Sequence, residues 1–321
     1  MREMEKVVMA KGQRFLLRVE SSADDGDYQK YEDLRNEIWD FPEDHLSGNR
    51  NLACESFLHY GSSLFIGAFA AAGGRFPLDL ANMAGFSYGF VGIRDKAAGF
   101  RDTANLHFYS QYTGVRKDCR SFGLGLLIKE FQKEILLDVY GLDQVICMFD
   151  PLTGVNAHRN IHQIGMEVVG YREAAYGEFG GHLNRQDVPK DRFLMSWDLR
   201  REVRRPACDP GTVDDAKRRV IRAGTRTIAA PGGTIQVEAV QDVIPDLDAE
   251  CLFVQIPRDF YRMLRETGVD DPDVRRIPFD WRIATRQAFQ SLFRRGYRVA
   301  DFLRAGEGRA ESAYLLSKKA P

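Results

Sequence analysis

The sequence predicts an α+β chain of the layered α/β kind, a mixed twisted sheet with helices on both faces. Three observations carry this. Short apolar, β-branched runs are interleaved with segments whose apolar residues recur every three or four positions. A strand-like run, Asn105–Gly114, passes through a two-glycine turn straight into a helix-like run, Leu124–Tyr140. Past residue 250 the same helix, glycine and strand pieces come again.

The elements follow in order. Gln13–Glu20 reads as a strand, and Ser21–Asp27 as a polar turn able to cap a helix. Tyr28–Trp39 places Tyr31, Leu34 and Ile38 on one helical face, and Phe41-Pro42 stops it. Asp44–Ser56 reads as loop and short helix. Ser63–Ala72 and Met83–Ile93 are strands about the Gly73-Gly74 turn. On Asn105–Gly114, alternation puts His107, Tyr109, Gln111 and Thr113 on one face. Helix Leu124–Tyr140 would bury Leu124, Leu127, Ile128, Phe131, Ile135 and Val139, keep Lys129, Glu130, Gln132, Lys133 and Glu134 wet, and end at Gly141. A strand ending at Asp150-Pro151, a short helix Val155–Gly165 and strands at Met166–Tyr171 and Phe193–Trp197 complete the first part. Leu199–Pro206 is a charged stretch, read as a linker or as a basic phosphate-contacting patch. Two domains are expected, residues 1–200 and 201–321.

Charge excludes some partners. Lys and Arg number 45 against 46 Asp and Glu, a net charge of −1, so there is no cationic footprint for nucleic acid or an anionic membrane. No apolar run is long enough for a membrane span, and the first residues lack the apolar core of a secretory signal. The five cysteines form no CxxC pair, so a structural metal is not expected; reduced thiols and a cytoplasmic location are.

Val115–Gly125 is the candidate site. A glycine turn opening a helix presents unpaired amides and the positive end of the helix dipole, which suits a phosphate or pyrophosphate. Arg120 adds a fixed charge. A P-loop needs Lys-Ser/Thr after its second glycine, where Leu126 and Leu127 stand; a dinucleotide fingerprint needs a third glycine where Ile128 stands. The remaining pattern is Arg/Gln-x-x-Gly-x-Gly/Ala, and Arg120-Ser121-Phe122-Gly123-Leu124-Gly125 fits it position for position.

That pattern resembles the coenzyme A loop of the GNAT superfamily of N-acetyltransferases. A branch of predicted GNAT acetyltransferases is similar also at Phe149-Asp150-Pro151-Leu152, Asn156-Ala157, Asn160-Ile161, Gly165, Tyr176-Gly177, Asp191-Arg192 and Trp197. The resemblance is strongest over residues 104–199 and weaker over 251–316, where the tail resembles a half-GNAT unit without the loop. It implies an acyl-CoA-dependent N-acyltransferase, most simply using acetyl-CoA, with an amine of unknown identity as acceptor. It implies the strands splaying at Val115 and around Phe149, the Val115 amide polarising the thioester, pyrophosphate on the amides of Phe122–Leu126 with Arg120 and Ser121 beside them, and Asn156 on the pantetheine arm. The tail would wall the acceptor pocket or contact a partner subunit, and a homodimer is left open.

The proton route departs from the family. The strand before the loop has no Glu, and Ile161 stands at the usual Tyr position. Asp150 is the candidate base, its other reading being a turn cap before Pro151. Tyr176 is the candidate acid, and His107 reads as a packing histidine. These departures raise a second reading, an acyl-CoA-binding protein with little transfer activity. A third is an interaction protein whose loop stays empty.

Overall fold

The computed structural model describes residues 4–22, 24–39, 55–58, 61–175, 185–203, 217–230, 232–306 and 311–318, with the backbone alone at Asp25 and Ser121. The chain forms two compact units. The first is Met1–Cys147 with Asp198–Arg200; the second is Met148–Trp197 with Arg201–Pro321.

In the first unit six strands lie in chain order: β1 (Glu5–Ala10), β2 (Gln13–Val19), β3 (Ser63–Ala70), β4 (Met83–Ile93), β5 (Leu106–Val115) and β6 (Gln144–Phe149), whose last two residues belong to the second unit. β1 to β5 are antiparallel, whereas β5 and β6 run parallel, so the sheet is mixed. Helix α1 (Asp25–Trp39) covers one face and helix α2 (Leu124–Ile135), continued by a π-helical turn Leu136–Tyr140, the other. Under α1, Tyr28, Tyr31, Leu34, Phe65, Phe69, Met83 and Phe86 form a core. Its aromatic rings meet edge to face, Tyr28 and Phe65 at 5.0 Å for example.

Trp39, the last described residue of α1, packs on β5. Its indole lies over Gly114, where an added Cβ would stand 2.7 Å from Cζ3 of Trp39 and 2.9 Å from Cδ1 of Ile38. Gly114→Ala therefore pushes both side chains out of place. A loss of about 1–3 kcal/mol is expected from overpacking, read as a lower denaturant midpoint; an unchanged midpoint would show that the helix end yields freely.

Two sequence expectations for this unit are corrected. Alternation along β5 fails at a bulge: Gly89 pairs with Ser110 but Tyr88 pairs with Tyr112, so Gln111 is the extra residue. Past it the faces exchange. Tyr112 and Gly114 look toward Trp39, and Thr113 bonds to Ser87 beside Gln132 of α2. On α2, Lys129 and Gln132 are buried rather than wet, while Val139 is exposed.

The second unit contains the hairpin β7 (Glu167–Arg172) and β8 (Arg192–Asp198), a ribbon of β9 (Ile221–Ala230) and β10 (Gly233–Val243), and a three-stranded antiparallel sheet of β11 (Cys251–Ile256), β13 (Ser312–Ser317) and β12 (Arg298–Leu303) in that spatial order. Its helices are α3 (Gly154–Ala157), prolonged by a π-helical segment His158–Gln163, then α4 (Phe260–Glu266), α5 (Pro272–Arg275) and α6 (Ile277–Arg294). α6 buries Trp281, Ala284, Ala288, Phe289 and Leu292. Phe289 packs edge to face on Phe193 of β8 at 4.7 Å and on Tyr314 of β13 at 5.2 Å. The expectation of five reduced thiols is corrected at Cys251, which is disulfide-bonded; Cys119 and Cys147 remain thiols.

Candidate functional site

The glycine turn has the predicted form. β5 ends at Val115, a 3₁₀ turn spans Lys117–Phe122, and Gly123 joins it to α2 with φ +75° and ψ 11°. That left-handed conformation suits glycine. An added Cβ there would meet nothing within 4 Å, so the turn is open on that side. Phe122 anchors the turn, its ring 5.6 Å from that of Phe15. Arg120 is exposed and donates from Nε to the Val115 carbonyl at 3.4 Å. Ser121 lies in the 3₁₀ turn.

The amide set is narrower than the expected Phe122–Leu126. The Leu126 and Leu127 amides both donate to the Gly123 carbonyl, at 3.0 and 3.4 Å. The amides of Leu124 and Gly125 precede that first bond, and they are the ones helix geometry leaves free for an anion.

Strand pairing sets the direction of the Val115 amide. Val115 pairs with Gly85, and the Arg116 amide donates to the Ala84 carbonyl at 2.8 Å. Hydrogen-bonded and non-hydrogen-bonded pairs alternate in an antiparallel ladder. Val115 is therefore in a non-hydrogen-bonded pair, and its N–H points away from β4. On that far side, β5 pairs with β6 only at Phe108↔Val145 and Tyr109↔Ile146, and β5 runs on to Val115 past this ladder. An amide directed away from β4, on a strand that runs past its β6 ladder and has a helix start just beyond, has the chemistry to meet an acyl-CoA. The loop has the right chemistry for its pyrophosphate and Val115 the right donor for a thioester carbonyl.

Other candidates divide. Tyr176 lies outside the described residues. Asn156 is half-buried; it donates to Thr153 Oγ1 at 3.3 Å and accepts from Arg159 at 3.1 Å. Asp150 is buried and held from three sides. Oδ1 accepts from the Leu152 amide at 2.9 Å, Arg282 grips both oxygens at 2.8 and 2.5 Å, and Arg192 approaches Oδ2 at 3.4 Å. Burial alone would raise its pKa, but the guanidinium charges and these hydrogen bonds win, and the net direction is down. A carboxylate so placed caps its turn and neutralises Arg282, and is poorly suited to taking a proton from an amine.

A parallel clamp lies one helical turn further along α6, where Arg286 grips Asp191 at 2.8 and 2.7 Å and Tyr171 donates to the same carboxylate at 2.7 Å. His107 is buried, and burial with the nearby Arg94 charge lowers its pKa, in keeping with a packing histidine. Burial and Asp118 push the Cys119 thiol up to about 11, so it is no ready nucleophile. Among the described residues no cluster of His, Cys, Asp and Glu could hold a metal ion, and no helix is long and apolar enough to cross a membrane.

No protein-family profile matches the sequence, and no curated protein matches it. Among solved structures the chain is similar to Arabidopsis thaliana NAA60 in complex with acetyl-CoA, at 12% identity over 57% of this chain and 99% of that one, with a TM-score of 0.42. It is similar to a putative acetyltransferase of the GNAT family from Desulfovibrio desulfuricans, at 13% identity over 58% and 99% of the two chains, with a TM-score of 0.39. It is similar also to the ribosomal-protein-S18-alanine N-acetyltransferase from Escherichia coli, at 13% identity over 58% and 96%, with a TM-score of 0.38.

Proposed function

We propose that this chain is an acyl-CoA-dependent N-acyltransferase, most simply an acetyltransferase, acting on an amine. The observation that carries the reading is the Val115 amide, turned away from β4 at the end of a strand that has left its β6 ladder, directly ahead of the glycine turn. Acyl-CoA supplies an activated thioester. The Leu124 and Gly125 amides and Arg120 hold its pyrophosphate by charge-assisted hydrogen bonds. The Val115 amide donates to the carbonyl oxygen, most strongly when the amine nitrogen bonds to the carbonyl carbon and negative charge gathers on that oxygen. As the carbon–sulfur bond breaks, the electron pair leaves with the thiolate, and the nitrogen gives up its surplus proton to water or to that thiolate. Holding the two reactants together supplies much of the rate.

One observation favours the second reading, an acyl-CoA binder with little transfer. Asp150, the candidate base, is engaged by two arginines. The test measures acetyl-CoA binding by calorimetry and thiol release with a panel of mono- and polyamines. Saturable binding with amine-dependent thiol release is expected. Binding with release no faster than the amine-free control would establish the binder, and absence of binding would reject both readings.

A further inference from the structure

A polar network lies buried between α2 and the sheet of the first unit. Lys129 is 3% exposed and Gln132 fully covered, on the inner side of a helix otherwise packed through Leu124, Ile128, Phe131 and Ile135. Lys129 Nζ donates to Ser110 Oγ at 2.5 Å and to Gln132 Oε1 at 2.9 Å. Gln132 Nε2 donates to Ser87 Oγ at 3.0 Å. Ser87 Oγ in turn donates to the Tyr112 carbonyl at 3.2 Å and lies 3.2 Å from Thr113 Oγ1. Burying an ammonium and an amide in an apolar layer is costly unless they are hydrogen-bonded. Apolar side chains there would hold the helix to the sheet at less cost, so packing alone does not account for these residue types.

The network grips β5 on both sides of its bulge. Ser110 lies before Gln111, and Tyr112 and Thr113 lie after it. Moving the bulge by one residue would turn Ser110 or Thr113 to the opposite face and cost its buried partner that hydrogen bond. The bulge in turn decides what Val115 does. Before it the register is Gly89↔Ser110; continued without the extra residue, that register would bring Val115 opposite Ala84. Ala84 is where the ladder accepts a hydrogen bond, now from Arg116. Without the bulge the Val115 amide would be spent on Ala84. With it, Arg116 takes that bond and the Val115 amide faces outward.

We propose that Lys129, through Ser110 and the Gln132–Ser87 link, is a positioning residue for acyl transfer, pinning the β5 bulge that frees the Val115 amide for the acyl carbonyl. The inference rests on the acyltransferase reading above. Lys129 touches no reacting atom; it acts by fixing strand register, so acyl-CoA affinity, set by the Leu124–Gly125 turn, changes little while carbonyl polarisation falls.

The experiment uses the full chain and acetyl-CoA labelled with carbon-13 at the carbonyl. With the wild type, binding should move the carbonyl resonance downfield as the Val115 amide bonds to it. Lys129→Met should lose most of that displacement and lower kcat roughly ten- to hundredfold, the scale for one misdirected oxyanion donor, with acetyl-CoA Kd changing by less than about threefold, under half a decade. Ser110→Ala removes the network's contact with β5 while sparing the lysine; it should shift the same observables in the same direction and serves if Lys129→Met does not fold. A folded variant of either kind with wild-type resonance and wild-type kcat overturns the proposal while the acyltransferase reading stands. A wild type that binds no acetyl-CoA overturns that reading first, and the proposal with it.

Discussion

Asp150→Asn is expected to destabilise the protein by about 3–5 kcal/mol, the usual cost of removing one partner from a buried ion pair. Arg282 is 1% exposed and spends both terminal nitrogens on this carboxylate. With asparagine in its place the guanidinium stays buried without a counter-charge, and Arg192 adds a second cation nearby. The loss should appear as a lower urea midpoint with unchanged slope. The sign with pH follows from the depressed pKa of Asp150. Its contribution is present above the unfolded value of about 3.9 and is lost as pH falls through the lower folded value. Asp191 shifts the same way, burial opposing and the Arg286 and Tyr171 hydrogen bonds prevailing. Wild type and Asp150→Asn should therefore converge in stability as acid removes the charge that the variant lacks. Replacing both partners, Asp150→Leu with Arg282→Met, should recover part of the loss. A deficit for Asp150→Asn below about 1 kcal/mol, the scale of an exposed pair, would mean that the clamp is not the support described here.

Gly123→Asp should weaken acyl-CoA binding at least about a hundredfold, near 2.8 kcal/mol at 1.4 per decade. The substitution acts twice. The left-handed φ of +75° is strained for any side chain, and the new carboxylate stands at a helix start that favours anions, where it repels a phosphate. Gly123→Ala separates the two, because the added methyl meets nothing within 4 Å. The alanine variant should lose some stability and keep most of its affinity. Equal affinity in folded Gly123→Asp would place the pyrophosphate elsewhere.

Much of the architecture is legible from the sequence because its signals are local. β4 falls at the read boundaries, and Gly123 marks the turn. What the sequence hides depends on partners far along the chain. Lys129 and Gln132 default to solvent in any helical projection; their bond to each other and the hydroxyls of Ser110 and Ser87, borne by distant strands, help make their burial tolerable. The bulge at Gln111 carries neither glycine nor proline to announce it, so alternation runs past it unbroken on paper. β9 escaped notice because most of its residues keep some exposure, leaving little apolar alternation to read. Asp150 looks like a free acid until Arg282 is found 132 residues away on the inner side of α6.

The three-stranded sheet of the second unit also constrains the order in which the chain can mature. Its middle strand, β13, is synthesised after both of its neighbours, and β11 and β12 pair only through it. Until Ser312–Ser317 leave the ribosome, Leu252, Phe253 and Val254 of β11 have no β13 partner, and Phe302 of β12 lacks its neighbour Tyr314. A nascent chain paused short of residue 312 would carry two open strand edges and an uncovered aromatic layer, the features that recruit chaperones and seed misassembly. Completion of this sheet is thus tied to the arrival of β13, and slow synthesis between β12 and β13 would lengthen its exposure to aggregation.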